Sequence, residues 1–434
     1  MGRDRTSTRR GVLAAMGCIG WGGCTQLRPS DEPTGAPEGD SESAGSDDRA
    51  PTSGSPLETP VETTELVVNL DIPWDLAFTS TNDLFVTERA GSLLRFDVDE
   101  VMAVGGGTPP IDATAVPETD RHRGLGDHLL GVAPHPDFPD PSLLYVYANV
   151  DDGTDPYNRV LRYDPHAEAP EETVEVLVDR IDGDRTIGGR LAFGPDGDLW
   201  VPIGTKDEER AGDPASLGGS VLRLTPDGGP APANPSLGAD ADARVFTYGH
   251  RNPQGIDWLP SSVPVVTDHG PTGRDEIERL SPGADHGWPD ARDANDYRDR
   301  PEFDRPLLNT GRDETWAPAN CLFYTGDAIP AWRDRLIVAT LQGRDLTVVT
   351  LLPPDADQPP VDGDARRYDA EWLDGTYTAT AHHVLNDAMG RVRNVAQAPD
   401  GSLLASSSNR DGLGVEYDGF PRERDDVLVG VTPT

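Results

Sequence analysis

The sequence predicts an all-β protein of the propeller type, and two observations carry that prediction: one hairpin pattern recurs four times, and no long stretch shows helical periodicity. The recurring segments are Leu76-Ala77-Phe78 to Val86, Leu191-Ala192-Phe193 to Val201, Gly255-Ile256-Asp257-Trp258 to Val266, and Val395-Ala396-Gln397 to Ala405. In the second, Phe193 is followed by Gly194-Pro195-Asp196-Gly197 and then by Leu199 and Val201; in the first, Phe78, Leu84 and Val86 hold the same offsets. Each reads as a strand, a tight turn and a strand, the Gly, Pro and Asp supplying the turn. Further strands are expected at Leu93–Phe96, Leu143–Ala148, Arg159–Tyr163, Val221–Leu224, Leu336–Thr340 and Leu346–Leu351. A β-sandwich is the structural alternative. With 47 glycines and 41 prolines, long loops are expected on the frame, and in a propeller the loops of one face surround the central channel, where chemistry is sought.

Residues 1–24 read as a targeting signal. Thr8-Arg9-Arg10 holds a twin-arginine pair, and Val12–Gly23 is an apolar run too short to span a membrane. The run ends at Trp21-Gly22-Gly23-Cys24, which resembles a lipobox. We therefore expect export by the twin-arginine route and a lipid on Cys24, the only membrane contact; Cys24→Ser then moves the protein to the soluble fraction, and unchanged membrane association refutes the lipid. Residues 25–60, rich in Pro, Gly, Ser, Asp and Glu, read as a disordered tether, and residues 61–430 as the propeller. Only Cys321 remains in that body, so no intrachain disulfide forms there, and a small buried side chain is expected.

The charge points to salt. Asp and Glu number 76 against 37 Lys and Arg, Lys206 being the single lysine, and the net charge is −39. Such self-repulsion is tolerated where the Debye length falls to about 3 Å, near 1 M salt, so a halophilic source is the simplest reading. Nucleic acid is excluded as a partner on the same ground.

The richest chemistry lies in Tyr248-Gly249-His250-Arg251-Asn252-Pro253-Gln254-Gly255, followed by Asp268-His269-Gly270-Pro271, Asp275-Glu276 and Gly287-Trp288-Pro289. These supply a guanidinium that grips carboxylates with two bonds, and carbonyl and carboxylate oxygens of the kind a hard cation such as Ca²⁺ requires. Other recurrent pieces are Ile72-Pro73-Trp74-Asp75-Leu76-Ala77-Phe78 with Val86-Thr87-Glu88-Arg89, Leu129-Leu130-Gly131-Val132-Ala133 with His135-Pro136-Asp137-Phe138, Gly188-Gly189-Arg190-Leu191, Phe323-Tyr324-Thr325-Gly326-Asp327 and Gly390-Arg391-Val392-Arg393. In this order, over residues 66–415, they resemble the soluble PQQ-dependent glucose and aldose sugar dehydrogenases, the glucose/sorbosone dehydrogenase family.

The resemblance implies a six-bladed β-propeller with the quinone PQQ over the channel, a Ca²⁺ bridging it to the protein, and aldose sugars as substrates oxidised to lactones. Carried over residue by residue, Arg251, Asn252, Gln342, Arg391 and Arg393 contact PQQ, Gly270 and Pro271 offer backbone oxygens to the activating Ca²⁺, and Glu276 serves a second, structural Ca²⁺. Asp275 matches the neighbouring acid, and His286 stands where an aromatic ring usually precedes Gly287-Trp288-Pro289.

Three positions depart from the family pattern. Thr186 occupies the place of the histidine that removes the sugar hydroxyl proton, and Thr205 that of the aspartate orienting it. Gln342 stands where a lysine usually faces the quinone, and it cannot neutralise developing negative charge. A lost general base commonly costs about 10²- to 10⁴-fold in rate. His269 is the first substitute to consider, then His128 and the pair His382-His383. The alternative function is a catalytically inactive, surface-anchored propeller acting as a binding or scaffold module; a Ca²⁺-dependent lactone hydrolase has only the fold in its favour.

Overall fold

The computed structural model describes residues 53–153, 155–183, 186–413, 417 and 419–434. The signal, Cys24 and most of the expected tether lie outside the described residues.

Short antiparallel strands form six small sheets. The innermost strands of these sheets are Pro73–Phe78, His128–Pro134, Ala192–Phe193, Pro253–Leu259, Pro318–Tyr324 and Val392–Gln397, which we number as blades 1 to 6. Neighbouring blades pack through their inner strands, and blade 6 returns to blade 1, which closes the ring. The fold is therefore the six-bladed β-propeller expected. Blade 6 is completed across the chain ends: Val61–Val68 pairs antiparallel with Leu428–Pro433. The four repeated hairpins are the two inner strands of blades 1, 3, 4 and 6.

Blades 2 and 5 lack the repeated hairpin spacing. Their second strands, Leu144–Val150 and Arg335–Thr340, fall where strands were expected, but the loops that join them to the first strands, residues 135–143 and 325–334, are longer than those of the other blades, so the fixed offsets of the hairpin are lost. The tether reading extends too far. Residues 53–60 are docked: Ser55 and Glu58 form a capping box around the turn Pro56–Glu58, and Trp332 Nε1 donates to the Pro56 carbonyl at 3.2 Å. Among the described residues the α-helices are Val98–Met102, Glu208–Ala211 and Ala294–Asp299, and none is long and apolar enough to cross a membrane. Cys321 is a free, buried thiol on the inner strand of blade 5.

Near the axis the blades are tied by one buried ion pair. Arg190, 3% exposed, bonds the Asp75 carboxylate and donates to the carbonyls of Gln254 at 3.0 Å, Ala319 at 3.3 Å and Trp74 at 3.4 Å, so one guanidinium touches blades 1, 4 and 5. Asp75 accepts in addition from Val132 N at 3.1 Å, Leu76 N at 2.9 Å and Asn394 Nδ2 at 2.6 Å. Gly131 explains its place in the sequence here: a Cβ on it would lie 2.8 Å from Arg190 Cα and 2.9 Å from the Gly189 oxygen. Only a residue without a side chain lets the blade 2 strand approach the Arg190 backbone.

Candidate active site at the channel mouth

The leading ends of the inner strands meet at one face. A cavity of about 170 Å³ there is lined by Trp74 of blade 1, Thr186 before blade 3, Asn252, Gln254 and His269 of blade 4, Gln342 of blade 5, and Arg391 and Arg393 of blade 6. Residues more than 300 positions apart in sequence are brought to one wall because every blade presents the same end of its first strand.

Arg391, just before the inner strand of blade 6, and Arg393, on it, converge on Asp411, each with a 2.9 Å contact to Oδ2. Arg89 joins them by donating to the Asp411 carbonyl at 2.7 Å. Arg393 also lies over the Trp74 ring, 4.3 Å from its centroid, and donates to Gln254 Oε1 at 3.3 Å. Its Nε is buried without a hydrogen-bond partner. Burial pulls the Arg393 guanidinium down to about 9 against the opposing pull of Asp411. Burial pushes the Asp411 carboxyl up, but Arg393 and Arg391 outweigh it and hold the group below its usual range. Two guanidinium groups thus face one carboxylate and a third bonds the same residue's backbone carbonyl, a local positive excess in a chain of net charge −39. Asp411, Trp74, Gln254 and Arg89 were not singled out as site residues from the sequence; the Trp74 and Arg89 motifs were visible, but only the fold shows that they meet Arg393.

Asn252 is a positioning residue as well as a wall. Its Oδ1 accepts from Gly188 N at 2.7 Å, and its own N–H donates to Asp268 at 2.6 Å, which fixes the Thr186–Gly188 turn against blade 4. Thr186 accordingly faces the cavity, and its carbonyl accepts from Gln254 Nε2 at 3.2 Å. Thr205 does not join it. The Thr205 hydroxyl accepts from Asp207 N at 3.0 Å and lines a neighbouring cavity with Lys206 and Asp207. Gln342 Oε1 accepts from the Tyr417 hydroxyl.

His269 also lines the cavity, and its Nε2 makes no hydrogen bond. Burial, then Arg251, Arg393 and Arg391, push its pKa down to about 3, so the ring is neutral at physiological pH and a weak base. The other histidines are structural: His128 Nδ1 lies 2.6 Å from the Arg89 carbonyl, His382 Nε2 3.0 Å from Asp362, and His383 Nδ1 2.8 Å from Asp345.

Arg251 stands differently from expectation. It shares the face with Arg391 and Arg393, since His269 lines both cavities, but it lines the smaller adjoining one of about 20 Å³ with Gly270, Pro271 and Glu276. Its Nη1 donates to the carbonyls of His269 at 2.8 Å and Gly270 at 3.0 Å. A pair of consecutive carbonyls that suits a metal ion suits a guanidinium equally, and here Arg251 takes it. Asp275 is not a metal ligand in this arrangement: its carboxylate accepts from Gly270 N, Trp316 N, Ala317 N and the Thr315 hydroxyl, which rigidifies the loop. Glu276 Oε1 accepts from Asn309 at 2.7 Å and from the Tyr297 hydroxyl at 3.2 Å.

The fit to the implied groups is testable on these contacts. A rigid polycarboxylate matches the Arg391–Arg393 pair, the Trp74 face and the unpartnered Arg393 Nε and His269 Nε2. The small cavity has the oxygen donors and about the volume for one ion, with Arg251 as the competing cation.

Fold and site together define a six-bladed propeller with a cationic wall at its channel mouth. The chain belongs to the glucose/sorbosone dehydrogenase family, which it matches over residues 70–415. It is 29% identical over 361 residues to the aldose sugar dehydrogenase YliI of Escherichia coli, covering 79% of this chain and 89% of that one. It is 28% identical over 253 residues to the quinoprotein glucose dehydrogenase B of Acinetobacter calcoaceticus, covering 52% and 51%. Among solved structures it superposes on the PQQ-bound aldose sugar dehydrogenase of Streptomyces coelicolor with a TM-score of 0.64 at 25% identity, covering 88% of this chain and 99% of that one.

Proposed function

We propose that this protein is a PQQ- and Ca²⁺-dependent sugar dehydrogenase that oxidises aldoses to lactones, with a proton-transfer step weakened by Thr186. The observation that carries the proposal is the cationic wall of Arg89, Arg391 and Arg393 at the channel mouth, a site built for a polyanion in a strongly acidic protein. When bound, PQQ supplies a two-electron acceptor for the hydride of the sugar, and Ca²⁺ withdraws charge from it.

The chain's own residues do the rest. Arg391 and Arg393 hold carboxylates, Trp74 offers a flat apolar face, and Asn252 fixes the turn that carries Thr186. Gln342 donates a neutral hydrogen bond where a cation would stabilise charge better. The hydroxyl proton must leave the sugar as hydride leaves its carbon, and Thr186 has no basicity near neutral pH to receive it. His269 is the nearest basic nitrogen on the wall, but the guanidinium groups that surround it depress its basicity. Turnover is therefore slow while cofactor affinity is retained.

The substitutions at Thr186, Thr205 and Gln342 also favour a second reading, a cofactor-binding propeller without turnover. The experiment that separates them is reduction of an artificial electron acceptor by purified protein with PQQ, Ca²⁺ and a panel of aldoses. Slow, PQQ-dependent reduction is expected; no reduction by any aldose, in a preparation that has bound PQQ, leaves the binding module.

A further inference from the structure

Behind the loop that carries Arg251 and Asn252 lies a cluster that the reaction does not use. His250, Glu278 and His286 are 0%, 1% and 1% exposed, and one ligand atom from each lies within 4.8 Å of the others. His250 Nδ1 is 2.8 Å from Glu278 Oε2, and His286 Nδ1 is 3.4 Å from Glu278 Oε1. The two rings stack with centroids 4.4 Å apart. Neither nitrogen of His286 makes a hydrogen bond, although the residue is sealed from solvent.

Charge makes the arrangement costly as it stands. Asp268 Oδ2 lies 3.8 Å from His250 Nδ1, and Glu276 is two residues from Glu278 on the same strand, so three carboxylates share this interior. Among the described residues no arginine or lysine forms an ion pair with any of them. Their facing partners are instead imidazoles, His250 and His286 against Glu278, and a buried carboxylate beside neutral rings is strongly unfavourable. Two imidazoles with a carboxylate are the donor set of divalent transition metals, and nitrogen donors turn preference away from calcium, which takes oxygen.

We propose that His250, Glu278 and His286 form a buried binding site for a divalent transition-metal ion of the zinc type. His250 is already oriented for it: its Nε2 lies 2.9 Å from the Thr247 hydroxyl, which leaves Nδ1 to face the ion, the outer hydrogen bond typical of ligating histidines. The donors draw together by roughly 1 Å to reach tetrahedral spacing at metal–nitrogen lengths of about 2.0–2.1 Å. The ion's role is structural. Asp268, beside the cluster, accepts the backbone N–H groups of Arg251 at 2.9 Å and Asn252 at 2.6 Å, so the metal braces the loop that shapes the channel mouth.

The test is elemental analysis of protein purified without chelators, then titration of chelator-treated full-length protein with Zn²⁺ while its melting temperature is followed. About one zinc per chain is expected, with a raised melting temperature and no displacement by excess Ca²⁺. Glu278→Gln and His286→Phe should each weaken Zn²⁺ at least about 10-fold. Where a variant does not fold, Co²⁺ loaded into the wild type decides, because tetrahedral nitrogen and oxygen ligation gives intense visible bands. Metal-free protein indifferent to Zn²⁺, variants that bind it as well as wild type, displacement by Ca²⁺, or Co²⁺ without such bands each overturns the proposal.

Discussion

Replacing Thr186 with His and Thr205 with Asp in one molecule raises aldose oxidation above wild type by about 10²-fold or more, and by more than the product of the single changes. The magnitude follows from what a positioned general base contributes, about 10²- to 10⁴-fold. Thr186 faces the cavity on a turn fixed by the Asn252 bond to Gly188, so an imidazole there starts on the correct wall. Thr205 sits on the adjoining segment: a Cβ on Gly188 would be 2.7 Å from Gly204 N, so the two backbones already touch. Its side chain now serves the Asp207 turn, and an aspartate must turn from that turn to the new ring. Alone, the histidine samples unproductive rotamers, and the aspartate alone is a charge without a partner. Dye-linked rates of the four proteins at saturating PQQ measure this; a double variant no faster than wild type shows that Thr186 is not the missing base, and His269 becomes the residue to mutate.

Arg190→Met destabilises the propeller by about 3–5 kcal/mol, the cost of breaking a buried ion pair from one side. The guanidinium joins Asp75 to three backbone carbonyls on blades 1, 4 and 5, and a methionine leaves all four acceptors facing an apolar chain. Asp75 is already pushed up by burial against the pull of Arg190, and losing that partner raises it further. A carboxyl whose folded value lies above its unfolded value favours the fold at low pH and penalises it as pH rises through the folded value. The variant's deficit should therefore grow from acid toward neutral pH. Adding Asp75→Asn should recover part of the loss, because the amide removes the stranded charge while keeping the Val132, Leu76 and Asn394 neighbours. Denaturant unfolding of the two singles and the double measures the cycle; strictly additive losses contradict the pairing.

The sequence was legible where the physics is local. A short polar turn between two apolar runs at fixed offsets, as in Phe193, Gly194-Pro195-Asp196-Gly197, Leu199 and Val201, marks a hairpin without help from the rest of the chain, and blades 1, 3, 4 and 6 were read from that pattern. Longer loops between the first and second strands of blades 2 and 5 broke the hairpin's offsets there, and the Ser55–Glu58 capping box was masked by the composition around it. At the site, Asn252, Gln342, Arg391 and Arg393 could be placed from their motifs, and the structure gathers them with His269 and Thr186. What sequence could not supply is orientation. Nothing in Gly249-His250-Arg251 announces that Arg251 bonds the His269 and Gly270 carbonyls, or that His250 turns inward to Glu278. Asp411 carries no motif of its own, since its meaning is the pair of arginines it faces.

Titration of PQQ into the wild-type protein with Ca²⁺, followed by tryptophan fluorescence, tests the cationic channel mouth most directly, because Trp74 lies beneath Arg393. Saturation at one PQQ per chain is expected, with Arg391→Met or Arg393→Met weakening binding roughly 10- to 100-fold, the equivalent of about 1.5–3 kcal/mol for a bond to a charged group. Wild-type protein that fails to bind PQQ, or binds it no better than folded variants lacking these arginines, contradicts the assignment.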